Sequence, residues 1–164
     1  MATRGDETQD PAGGVATLAR AMRTELSLLA ELKCQLVDQR GACAADDTDA
    51  LESVVQQISR TLLTLRETRK QRGLALELAT GAAAVGLIEA TDLLPAADRA
   101  GFQVLCRELH ASAVAANREL LINQSAIRRA VESGERFLHR LLTAPGLTGP
   151  SEPAPRGVLV NQRA

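Results

Sequence analysis

Between Val15 and Arg40 the chain repeats in steps of four and three: Leu18, Met22, Glu25, Leu29, Leu32, Leu36. Such spacing returns to one side of an α-helix every two turns and draws a narrow seam, the pattern by which helices pack lengthwise. Glu25 is its one charged member, with Leu26 beside it. A period of this kind cannot serve a strand, whose faces alternate every second residue.

A second seam follows. Gly41 and the acidic cluster Asp46, Asp47 and Asp49 predict a break, because glycine ends helices and carboxylates favour their first turns. The next helix is expected from about Thr48 to Thr80, with Asp49 and Glu52 as a capping pair. Its seam reads Leu51, Val55, Ile58, Leu62, Leu65, and the same register then reaches Arg69, Arg72 and Leu76. A short link makes the two helices antiparallel neighbours, each a rod of about 45 Å.

Gly81 and Gly86 bracket an alanine-rich connection, a short helical turn or a loose link. Pro95 then suits the first turn of a third helix reaching about Thr143, with Asp98 near its positive end. Its stripe runs through Phe102, Leu105, Leu109, Ala113, Ala116, Leu120, Gln124, Ile127, Val131, Gly134, Leu138 and Leu141, with Gly101 and Gly134 as weak points. After Ala116 the stripe gains Ile122, Ala126, Ala130, Phe137 and Leu142, so the apolar arc widens to roughly 160°, with Asn123 inside it. An arc this wide serves either a central place in the chain's own bundle or two neighbours, the hairpin and a partner.

Composition agrees with helices throughout. The apolar fraction is 45%, most of it Ala and Leu, with two Phe and no Trp or Tyr. These are strong helix formers, and the aromatics that fill sheet cores are missing. The expectation is all-α: an elongated antiparallel helical hairpin plus a long third helix, a three-helix bundle or coiled coil. Residues 1–14 read as a disordered lead-in and 15–143 as the helical domain. Residues 144–164, with four prolines and three glycines, read as a flexible tail.

The same features narrow the function. A net charge of −1 and so few aromatics give nucleic acid neither a field nor a stacking platform. The longest uncharged apolar run, Ala82 to Ile88, is too short to span a bilayer, and residues 1–14 lack the apolar core of a signal peptide. A cytoplasmic protein without direct membrane insertion is expected. Cys34, Cys43 and Cys106 are too scattered for a disulfide framework or zinc site and read as buried thiols. His110 and His139 show no metal or triad spacing. The run after His110 lacks the lysine usual beside a phosphate-accepting histidine, so no catalytic residue, metal or cofactor is expected. Arg60, Arg66, Arg69, Lys70 and Arg72 against Glu67 leave a local excess of four positive charges. They read as a solvated face, as partners of seam carboxylates such as Glu25, or as a site for an acidic partner.

In order, the chain gives a leucine-spaced helix, the turn Asp47-Thr48-Asp49-Ala50-Leu51, a basic helix from Ile58 to Arg72, and a long last helix. That helix reads Asn117-Arg118-Glu119-Leu120-Leu121-Ile122-Asn123-Gln124-Ser125-Ala126-Ile127. This order resembles the FlgN-like flagellar export chaperones over roughly residues 15–143, most specifically from Asn117 to Ile127. The resemblance implies a cytoplasmic chaperone that holds hook-associated, hook–filament junction proteins and delivers them to the flagellar type III export apparatus. Its C-terminal amphipathic helix would carry the contact, which places partner binding at Asn117, Leu120, Asn123, Ile127, Val131, Leu138 and Leu141. Many members continue into a tail containing Tyr and Gly, where this chain has Thr143-Ala144-Pro145-Gly146 and no tyrosine. The alternative is a coiled-coil adaptor that associates with itself, with a homodimer open under either reading.

Overall fold

The computed structural model describes residues 11–143 other than residue 84, and among the described residues the regular structure is all helical, with no strand. Four helices follow in order: α1 (Pro11–Ala44), α2 (Thr48–Thr80), α3 (Leu87–Leu93) and α4 (Ala96–Thr143). The α1–α2 hairpin packs against α4, and α3 is a short addition to the three long helices expected. The expected tail at 144–164 lies outside the described residues, as do the first ten residues of the expected lead-in.

Pro11 to Gly14 belong to α1 rather than to a disordered lead-in. Proline lacks only an N–H that a first helical turn leaves unpaired anyway. Gly14 is buried, and a Cβ built on it would lie 3.1 Å from both Cα and N of Ala79. The close approach of α1 to the end of α2 therefore needs a glycine here. Gly41 likewise fails to end its helix, since α1 continues to Ala44. The reversal falls on Asp46, which takes a left-handed φ of 53°, a conformation Asp tolerates better than most residues. Asp47, not Asp49, then caps α2, its Oδ1 accepting from Ala50 N at 3.0 Å. Gly81, with φ of 68°, closes α2, its N–H donating to Glu77 O at 2.8 Å.

All six seam positions of α1 are buried, including Glu25 at 2% exposure. On α2 the register differs from the hydrophobic one. The buried line is Val54, Thr61, Leu65, Thr68, Ala75, Leu76 and Ala79, while Val55 and Leu62 are exposed. The polar residues of α1 account for the rotation. Buried Gln35 donates from Nε2 to Thr61 Oγ1 at 3.0 Å and to Glu31 Oε1 at 2.8 Å. With Leu62 turned inward in place of Thr61, that amide would lose its cross-helix partner, at a cost of about 1–3 kcal/mol.

Short α3 is held by burial of Ala90 and Leu94 and by Arg99 of α4. The Arg99 guanidinium donates to Leu94 O at 2.9 Å and Asp92 O at 3.0 Å, meeting carbonyls that the end of α3 would otherwise leave open. Helix α4 runs unbroken through Gly101 and Gly134. The chain divides into two compact units, through Ile127 and from Arg128 onward, and α4 crosses the division.

Candidate functional site

Within the first unit, α4 buries one residue in every seven: Phe102, Leu109, Ala116 and Asn123. Phe102, Leu109 and Ala116 join Leu18, Met22, Leu29, Leu65 and Leu76 in a shared core. The line then departs from the expected stripe, taking Asn123 inward instead of Gln124. Asn123 Nδ2 donates to Gln39 Oε1 of α1. One turn earlier on α4, Glu119 Oε2 accepts from Arg40 Nη2 at 2.8 Å. These polar contacts fasten α4 to the end of α1.

Asn123, one of the residues expected to bind a partner, is 2% exposed and turns its side chain into the bundle. A polar residue on an apolar arc reads from sequence as a contact left for a partner. Gln39, which accepts from its Nδ2, is 84 positions away and belongs to no apolar pattern. The other residues expected to bind divide. Asn117 and Leu120 are exposed, and Ile127 is half-buried.

In the second unit the described residues 128–143, the end of α4, are all exposed. They include Val131, Leu138 and Leu141 of the expected set, together with Phe137 at 62% and Leu142 at 78% exposure. Val131, Leu138 and Leu141 repeat at helical spacing and share a face, flanked by Phe137 and Leu142. Scattered exposed leucines are ordinary, but a run of large side chains on one helical face marks an interaction surface.

A second surface lies wholly within the first unit: an open groove of about 1060 Å³ between α2, α3 and α4. Leu76, Val85, Leu87, Leu109 and Ala113 give it apolar walls. At one side Glu25 accepts from Arg69 Nε at 2.8 Å, and Arg72 Nε lies 3.0 Å from its other oxygen. Seam carboxylate and seam arginines are thus partners, as the charges on the two helices suggest. Arg107 and His110 of α4 also line the groove and are exposed. Cys106 is half-buried there, and burial pushes its thiol pKa up while nearby Arg72 opposes the shift. Of the three cysteines expected to be buried, Cys34 is exposed and Cys43 half-buried.

Among the described residues no three His, Cys, Asp or Glu side chains gather where they could hold a metal ion. No described helix is long and apolar enough to cross a membrane. Comparisons with protein-family models, curated proteins and solved structures find no match to this chain.

Proposed function

We propose that this chain is a cytoplasmic export chaperone of the FlgN type, which covers hook-associated proteins until they reach the flagellar type III export apparatus. The observation that carries the reading is the exposed apolar face at the end of α4, where Val131, Phe137, Leu138, Leu141 and Leu142 stand at 43–78% exposure. Export cargo that assembles through helices presents apolar faces that aggregate if left bare. A helix with a matching face shields them until delivery, a task that needs no nucleotide or metal. An amphipathic helix laid along a partner's helix or groove is a recurrent mode of recognition.

Co-expression with a hook–filament junction protein tests this reading. The cargo should copurify with the wild-type chain and be lost from Val131→Asp and Leu138→Asp variants that keep their helical circular dichroism. Copurification unchanged by both substitutions would remove the face from the account.

The face also suits a second reading, because Ile127, Val131, Gly134, Leu138 and Leu141 continue the alternating three- and four-residue steps of a coiled coil. A self-associating adaptor would sediment as a stable dimer at low micromolar concentration. A monomer under those conditions leaves the face to a different protein.

A further inference from the structure

The groove of the first unit shares no residue with the exposed face at the end of α4. Its lining comes chiefly from the two long helices α2 and α4 and from short α3. Its interior is apolar, and Ile88 of α3 stands 85% exposed at the lip. The charges are arranged about that apolar strip. Arg69 on the α2 wall keeps a half-exposed side chain although its Nε is engaged. Arg107 is exposed on the α4 wall. Of the groove's two carboxylates, Glu25 is held in ion pairs. Glu25 is buried and faces two guanidinium groups, so that cluster keeps one positive charge in excess. Glu89 is exposed and keeps its charge while accepting from Gly86 N at 3.3 Å, so the three arginines of the groove, Arg69, Arg72 and Arg107, exceed its two carboxylates by one. Apolar walls with an accessible arginine on each of two helices, and a net positive lining, are complementary to a helix that has leucines on one face and glutamates on both flanks. Coiled coils use the same scheme to choose partners, with charges beside the seam selecting the opposite sign.

We propose that the groove between α2, α3 and α4 is a docking site for an acidic amphipathic helix of a protein partner. The helix seats its apolar face on Leu76, Leu109 and Ala113 and presents carboxylates to Arg69 and Arg107. The site is independent of cargo capture at the end of α4, so one chain holds cargo on one surface and a second, acidic partner on another.

The test uses two fluorescein-labelled peptides of roughly 18 residues, about 27 Å of helix. Both carry leucines on one face, flanked in one by glutamates and in the other by lysines, and binding to the full chain is read by fluorescence anisotropy. The acidic peptide should bind about tenfold more tightly than the basic one at low salt, and the preference should shrink as salt is raised. Arg107→Glu, at an exposed position, should weaken the acidic peptide several-fold and strengthen the basic one. Ala113→Trp should fill the groove and weaken both. Leu138→Asp, on the other surface, should change neither. Circular dichroism confirms that each variant is folded, and Ala113→Glu replaces Ala113→Trp if the larger side chain unfolds the chain. Absence of binding, equal binding of the two peptides, indifference to Arg107→Glu, or loss through Leu138→Asp would each overturn the proposal.

Discussion

Arg69 Nε donates to Glu25 Oε1 at 2.8 Å across the hairpin, joining a side chain that is 49% exposed to one that is 3% exposed. The asymmetry decides which partner matters more. If Arg69 is lost, Glu25 still has Arg72. If Glu25 is lost, Arg69 turns to water and only the more buried Arg72 is left without its carboxylate.

Glu25→Ala should therefore cost about 2–3 kcal/mol, from both a cavity and a stranded guanidinium. Arg69→Ala should cost about 1 kcal/mol or less, as expected for a half-exposed partner. Urea unfolding followed by circular dichroism measures both. Equal losses would mean that the pair lies outside the hairpin core in solution.

The register of α2 is tested by two neighbouring leucines. Leu65 is buried at 4% exposure and Leu62 is exposed at 47%, although spacing puts both on one seam. Leu65→Ala should destabilise by about 2–5 kcal/mol. Leu62→Ala should cost under about 1 kcal/mol. The reverse order in the same unfolding experiment would restore the purely hydrophobic register.

The divergence at α2 marks what the sequence could and could not reveal. The α1 seam was legible because its apolar residues recur without a competing pattern, and its one break, Glu25, finds the arginines that the α2 sequence offers. On α2 two registers differ by one position, and hydrophobicity favours Leu62 over Thr61. The choice lies with Gln35, a hydrogen-bonding group on the other helix. The inward turn of Asn123 is hidden for the same reason: Gln39, which accepts from its Nδ2, lies in a distant part of the chain. Helix limits were blurred by glycines, because Gly41 and Gly14 sit inside α1 and only a left-handed turn or a close neighbour distinguishes one glycine's role from another's. The exposed end of α4 was the legible part of the candidate site. The groove was not, since α3 and the packing that opens it leave no periodic signal.

Two glycines should respond in opposite directions to a methyl group. At Gly14 the added Cβ meets the backbone of Ala79, which cannot swing aside, so Gly14→Ala should destabilise by about 1–3 kcal/mol. At Gly134 nothing lies within 4 Å, so Gly134→Ala should make α4 more helical, by up to about 1 kcal/mol. Thermal melts compare the two, and a stabilised Gly14→Ala variant would place the start of α1 away from α2.

The cysteines should label in sequence. Cys34 is exposed, whereas Cys106 is half-buried with its thiol pKa raised by burial, so fewer Cys106 thiolates exist at a given pH. A maleimide near neutral pH should modify Cys34 first and Cys106 slowly, and raising the pH should accelerate Cys106 beyond the point where an ordinary thiol levels off. Peptide mapping by mass spectrometry follows both sites. Faster labelling of Cys106 would mean that its helix face is open in solution.

Under the proposed function, cargo binds the exposed face of α4 and no other exposed leucine. Calorimetric titration of a purified hook–filament junction protein into the wild-type chain, Leu138→Asp and Leu74→Asp tests it most directly. Leu138 on α4 and Leu74 on α2 are similarly exposed, at 58% and 54%, so the pair separates location from hydrophobicity. The account predicts a binding isotherm for the wild type and for Leu74→Asp and its loss for Leu138→Asp. Heat of binding retained by Leu138→Asp, or absent from the wild type, would contradict it.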